Sequence, residues 1–267
     1  MDYDFSGKIA VISGGSRGIG FTAARRFAAA GASVAFAGRR ETSVAAAVGG
    51  LDPLAAKTGA GGAILGVAVD LSDGAGVDEF VARTIDRFGG VDVLVNSVGD
   101  SSYGSFLDVT DEMVVSSWTI KVLTAVRLTR ALVPAMERRG GGAIVNVSGG
   151  AGREPQPAGI PAALANAGIR VFSKGGAADL ARRGIAVNSI SPGLVNTDRH
   201  TDRARQAAER RGVPIEEVLR ELDAATPTGH VTTPEEVAEL VLFLASRRVY
   251  NLTGAEIVLD GGAGHAV

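Results

Sequence analysis

The sequence predicts an α/β fold: one doubly wound domain whose parallel sheet carries helices on both faces. Three observations predict it. Short runs rich in β-branched residues alternate with longer, alanine-rich amphipathic runs from one end of the chain to the other. Most of the short runs are apolar without polar alternation, as strands buried on both faces must be. Parallel strands need long, right-handed crossovers, and the intervening runs are long enough to be helices.

Taken in order, the strand runs are "KIAVIS" (8–13), "SVAFAG" (33–38), "AILGVAV" (63–69), "VDVLVN" (91–96), "AIVNVS" (143–148), "IAVNSI" (185–190) and "AEIVLD" (255–260). Helical periodicity fills about 18–30, 41–57, 74–88, 111–138, 161–183 and 234–246. No linker-like stretch interrupts the alternation, so residues 1–267 read as one domain. Residues 198–230 are charged and helix-prone where a short connection would suffice, and they read as a lid or binding flap inserted into it.

With 46% hydrophobic residues, 267 residues bury a large core. A net charge of -2 gives no broad attraction to nucleic acid or an anionic membrane. Arg138-Arg139 and Arg247-Arg248 read as solvated helix ends. There is no cysteine, which excludes disulfide and thiolate chemistry. The start, "MDYDFSGK", has acids where a signal peptide needs basic residues, and no apolar run reaches the roughly 18 residues of a membrane span. The expectation is a soluble, cytoplasmic protein acting on a small molecule.

Chemistry first shows in "VISGGSRGIG" (11–20). Gly14, Gly18 and Gly20, with Ser16, Arg17 and Ile19, lie between a buried strand and a helix, the context a dinucleotide turn requires. Glycines there allow backbone N–H groups to approach a pyrophosphate at the helix's positive end. A site for NAD places an acid after the second strand to hold the ribose 2′-hydroxyl. This chain has "AGRR" instead, and Arg39, Arg40 and Arg17 suit a 2′-phosphate, so the expected cofactor is NADP(H).

Joined to "VDVLVNSVG" (91–99), "RRGIAVNSISPGLVNT" (182–197) and "NLTGAEIVLDGG" (251–262), this turn resembles the short-chain dehydrogenase/reductase family in its single-domain Rossmann form, from Gly7 to Gly262. The resemblance implies a seven-stranded sheet ordered 3-2-1-4-5-6-7 and a homo-oligomer, dimer or tetramer, paired through the long helices at 111–138 and 161–183. It places Asp70 and Leu71 beside the adenine, Asn96 and Gly99 at the ribose side, and Pro192, Gly193 and Thr197 around the nicotinamide. It also implies a catalytic tetrad of asparagine, serine, tyrosine and lysine. Counting from "FSK" and "RGIAVN", those positions hold Lys121, Gly149, Ala162 and Asn166. No Tyr-x-x-x-Lys occurs in the chain; its tyrosines are Tyr3, Tyr103 and Tyr250.

A replacement acid or base has to line the same cleft. Lys121 leads, because a mid-helix lysine between Ile120 and Val122 is costly unless hydrated, partnered or neutral. Tyr103, with Asp100, Ser101 and Ser102, follows the fourth strand, and Asn166 stands opposite Lys121 in the family fold. Arg153, Glu154 and Gln156 follow the fifth strand, while Asp198, Arg199, His200 and Asp202 open the flap. Ser148 stands one place before the serine position and is expected to face away. No metal spacing or Gly-x-Ser-x-Gly elbow accompanies the three histidines. The reading is therefore an atypical NADP(H)-dependent oxidoreductase acting on a ketone or alcohol. The alternatives are a non-redox enzyme such as a cyclase, isomerase or dehydratase on the same fold, and a non-catalytic nucleotide-binding homologue. Glycine and alanine at 149, 150, 152, 162 and 163 suggest a roomy cleft for a bulky, polyketide-like substrate.

Overall fold

The computed structural model describes residues 3–57, 62–99 and 104–265. Its seven strands are β1 (Ile9–Ser13), β2 (Ser33–Gly38), β3 (Ile64–Ala68), β4 (Val93–Asn96), β5 (Gly142–Val147), β6 (Ile185–Pro192) and β7 (Glu256–Leu259). All neighbours pair in parallel, in the order β3-β2-β1-β4-β5-β6-β7. This is the expected doubly wound sheet.

Side chains alternate between two cores as the pleat dictates. Ile12, Phe36, Val95 and Val145 point to one face with Phe27, Val237 and Val241. Val11, Ala35, Leu94 and Ile144 point to the other with Phe80, Leu128 and Leu132. Helices α1 (Gly18–Ala29), α2 (Glu41–Lys57), α3 (Gly74–Phe88), α4 (Asp111–Trp118), α5 (Thr124–Arg138) and α6 (Ile160–Ala181) follow in turn. Between α4 and α5 the long helix expected at 111–138 widens into a π-helical stretch, Thr119–Leu123. The segment read as a flap forms α7 (Asp198–Arg211) and α8 (Ile215–Ala224), which bury Ala204, Ala208 and Val218 between them. The last helix, α9 (Pro234–Ala245), packs on α1. Among the described residues, no helix is long and apolar enough to cross a membrane, and no group of three or more His, Cys, Asp or Glu is placed to hold a metal ion.

Candidate active site

The connection from β1 to α1 is shaped by what a Cβ would meet. Gly14 and Gly18 have φ of 71° and 57°, the left-handed region glycine enters without steric cost. A Cβ on Gly20 would overlap the carbonyl of Gly14, and one on Gly14 would lie 3.2 Å from the Val98 side chain. Arg17 stands at the N-cap of α1 and its side chain makes no cap bond to the first N–H groups of that helix. A Cβ on Gly38 would come within 2.7 Å of Ser16 Oγ, so the turn lies against the end of β2. Arg17, Arg39 and Arg40 are thereby brought to one exposed edge.

The other residues expected at a cofactor have defined surroundings. Asp70 accepts the Ser72 backbone N–H at 2.9 Å and hydroxyl at 2.8 Å. The backbone bond leads in holding its carboxyl below the usual range against partial burial, and the Ser72 hydroxyl and the Arg39 charge help. Leu71 is buried and its carbonyl accepts the Thr124 hydroxyl at 2.8 Å. Asn96 donates to Asn146 at 2.7 Å, while its own Oδ1 is buried without a partner. Thr197 lies 3.5 Å from where a Gly18 Cβ would be, and Gly193 packs on Asp260. A Cβ-free turn, an uncapped helix start and a cationic edge fit the phosphates of a dinucleotide, and the orphaned Asn96 acceptor fits a ribose hydroxyl.

At the far end of the cleft, Lys121 sits within the π-helical stretch, where the altered backbone sets its side chain apart from a regular α-helical row. Its Nζ donates to the Ser148 carbonyl at 3.1 Å and lies 3.4 Å from where a Gly99 Cβ would be. Burial first, and then the Arg199 charge, push its pKa down to about 8. The next residue, Gly149, leaves room for Asn166: a Cβ there would lie 3.1 Å from Asn166 Nδ2. Asn166 is buried and its Oδ1 has no partner. Ala162, one turn earlier on α6, is buried as well. Lys121 and Asn166 therefore flank the Ser148–Gly149 peptide from two helices without bonding to each other. Tyr103, with Asp100, Ser101 and Ser102, lies outside the described residues.

Several other candidates have structural partners. Arg153 pairs with Glu256 at 3.1 Å, and Arg170 pairs with the same carboxylate at 2.7 Å. Ser191 donates to Glu256 at 2.5 Å, and Ser148 shares a 2.6 Å bond with Ser191. The Ser148 hydroxyl is thus turned toward β6. Burial pushes Glu256 up, but bonds from Ser191 and Arg170 outweigh it and hold the carboxyl low. Reasoning from sequence missed Glu256; the visible signal was a carboxylate inside the apolar run "AEIVLD". Glu154 accepts the His265 backbone N–H. His200 is buried, its pKa lowered first by desolvation, with Asp223 opposing and Arg203 assisting. Asp198 and Asp202 are exposed on α7, while Arg199 reaches back to donate to the Gly99 carbonyl at 3.2 Å.

Comparison with known proteins bears on this cleft. A family model described as enoyl-(acyl carrier protein) reductase matches residues 14–264. Human dehydrogenase/reductase SDR family member 4 is 32% identical over 256 residues, covering 96% of this chain and 87% of that protein. The chain belongs to the short-chain dehydrogenase/reductase family. Within that family it is also similar to a ketoacyl reductase of the monensin polyketide synthase from Streptomyces virginiae, at 35% identity over 97% of each chain. D-beta-hydroxybutyrate dehydrogenase of Rhizobium meliloti is 31% identical, covering 96% of this chain and 98% of that one. Among solved structures, L-sorbose reductase from Gluconobacter frateurii, in complex with NADPH and L-sorbose, superposes with a TM-score of 0.93. Its identity is 34% and the match covers 100% of both chains.

Proposed function

We propose that the protein is an NADP(H)-dependent oxidoreductase that interconverts a ketone and an alcohol with Lys121, rather than a tyrosine, as the proton-transferring group. The observation that supports this is one partly buried lysine amine that donates to the Ser148 carbonyl and lies beside Gly99 in the segment after β4. In this reading Gly149, Ala162 and Asn166 stand where the family's serine, tyrosine and lysine would act, and Lys121 where its asparagine would. The sorbose reductase's NADPH and the missing acid after β2 support NADP(H) over NAD(H).

When bound, the nicotinamide supplies or accepts hydride at the substrate carbon. The chain's own residues do the rest. Arg17, Arg39 and Arg40 hold the 2′-phosphate by charge-assisted bonds, and the turn's N–H groups hold the pyrophosphate. The orphaned Oδ1 atoms of Asn96 and Asn166 accept from ribose hydroxyls. Lys121 Nζ, held by the Ser148 carbonyl, keeps a proton that it gives to the oxygen of the reduced carbonyl and regains from water. With a pKa of about 8 the ammonium is a competent acid near neutral pH.

A screen of ketones for NADPH absorbance loss, run on the unaltered protein and Lys121→Ala, tests the reading. Turnover is expected with the unaltered protein, and positioned acid-base groups are worth about 10²- to 10⁴-fold, so k_cat should fall by that factor in the variant while NADPH binding persists. Unchanged k_cat in the variant overturns the role of Lys121. NADPH binding with no ketone reduced would move the assignment to a non-redox step on the same fold.

A further inference from the structure

The amino ends of the parallel strands gather at the edge of the sheet opposite the glycine turn, and a cavity of about 340 Å³ opens there. It lies against the starts of β1, β4 and β5 and the end of α9. The length of β1 puts roughly 15 Å between this edge and the turn. Six charged side chains line the cavity: Lys8, Arg139, Arg247 and Arg248 against Asp4 and Asp92. The balance is positive by two. Asp92 is buried and serves two of the cations, Arg139 at 2.9 Å and Lys8 at 3.4 Å, and it also accepts the Ile9 backbone N–H at 2.9 Å. One carboxylate therefore answers two cations.

Arg247 adds a further charge that no carboxylate meets. It follows the cap of α9, a position where glycine ends helices without strain. Its φ of 52° is the one positive value outside glycine among the described residues, and a bulky side chain enters that region at a cost. One Nη donates to the Gly184 carbonyl at 2.8 Å, the guanidinium lies 5.0 Å from the centre of the Tyr250 ring, and Nε is buried without a partner. Among the described residues Arg247 forms no salt bridge. Its fork keeps donors that the protein does not use, at the wall of a cavity whose other cations share one acid.

We propose that this cavity binds a small phosphate monoester, its phosphate held by Arg247, Arg139 and Lys8. The site is separate from the cofactor cleft and does not rest on the oxidoreductase reading. A phosphate group carries close to two negative charges near neutral pH, which matches the surplus. Guanidinium forks hold its oxygens by charge-assisted bonds, and the lysine adds a point charge. The volume stands at the lower end of small-molecule sites, so a body of a few carbons fits beside the phosphate.

The test titrates glycerol 3-phosphate into the full chain by calorimetry at fixed ionic strength, with glycerol and inorganic phosphate as comparisons. The ester is expected to bind and to raise the thermal midpoint, glycerol to do neither, and inorganic phosphate to bind more weakly because it leaves the rest of the cavity empty. Arg247→Gly removes the guanidinium and relieves the positive φ, so the variant should stay folded. Its affinity for the ester should fall by about tenfold or more, as loss of a charge-assisted bond implies. Lys8→Gln should weaken the ester in the same direction, and it leaves Asp92 paired with Arg139. Arg39→Asp, on the cationic edge across the sheet, should bind the ester unchanged. Retained affinity in Arg247→Gly, or a loss confined to Arg39→Asp, would overturn the proposal. Inorganic phosphate bound as tightly as the ester would overturn the monoester assignment. An ester that stabilises the chain no more than chloride at the same ionic strength would overturn the site itself.

Discussion

Withdrawing a lysine from water destabilises its charged form relative to its neutral one, and at Lys121 this sets a pH dependence that stability measurements can read. The folded pKa is about 8 and the ordinary value is 10.5, so between them the unfolded chain binds more protons than the folded one. Stability therefore rises with pH across that window, and the full penalty is present below pH 8. By the linkage relation the penalty is of the order of 3 kcal/mol. Denaturant midpoints of the unaltered protein should climb from pH 8 toward 10 while those of Lys121→Met stay flat, and a parallel pair of curves would show that the amine is hydrated. Under the proposed role activity carries the opposite sign: with the protonated amine as the acid, carbonyl reduction should fall as pH passes 8. At the other end of the cleft, Arg39 is the side chain whose charge reaches Asp70. Arg39→Asp should weaken NADPH by tenfold or more, about 1.5 kcal/mol upward for a lost phosphate contact, and leave NADH affinity nearly unchanged. Equal losses for both cofactors, read by fluorescence titration, would remove the 2′-phosphate from the account.

Among the elements, helix α9 shows how local chemistry fixes a boundary. Thr233 accepts the Glu236 backbone N–H at 3.2 Å, and Glu236 accepts the Thr233 backbone N–H at 2.7 Å, a reciprocal cap that begins the helix at Pro234. Thr233→Ala should cost about 1 kcal/mol in urea unfolding, and a loss below a few tenths would mean that packing on α1 sets the start instead. Such signals explain why α2 and α3 were legible to the residue: "RRETS" and "SDGAG" break strand periodicity abruptly, and Asp73 caps α3 by accepting the Ala75 N–H. The π-helical stretch at Thr119–Leu123 was not legible. It adds one residue to a turn without any proline or glycine to mark it, and apolar spacing before and after it remains helical. The Glu256 network was hidden for a different reason: its members come from β6, β7, α6 and the segment after β5, and only the sheet order brings them together. The glycine turn after β1 was readable because glycine type and strand-end position coincide there, and the structure places Gly14 and Gly18 in the left-handed region.

Across the whole molecule, the proposed function assigns cofactor binding and chemistry to two halves that differ in how far they keep the family's pattern. The glycine turn, the Asn96–Asn146 bond and the Gly193–Asp260 contact are the close approaches that the proposal gives to the cofactor side. On the other side, Gly149 and Asn166 fit one another: the amide of Asn166 fills the space in front of a residue that has no side chain. That fit makes the four positions interdependent, and it predicts how attempts to restore a family-like site will behave. Ala162→Tyr with Asn166→Lys alone should yield at most a slow reductase. The new ammonium would stand across the Ser148–Gly149 peptide from Lys121, two buried like charges that depress each other's pKa, and no hydroxyl at 149 would hold the substrate carbonyl. Adding Lys121→Asn removes the repulsion, and adding Gly149→Ser supplies the hydroxyl once Lys has replaced the Asn166 amide that a Cβ at 149 would press against at 3.1 Å. The fourfold variant should therefore exceed the double variant in k_cat for a neutral ketone by about 10²-fold or more, a gain larger than the sum of its two added steps. It should also lose the rate fall above pH 8 that a proton-donating Lys121 imposes. A double variant as fast as the fourfold one, with both folded by circular dichroism, would show that Lys121 does not repel the restored lysine and that the cleft's two sides act independently.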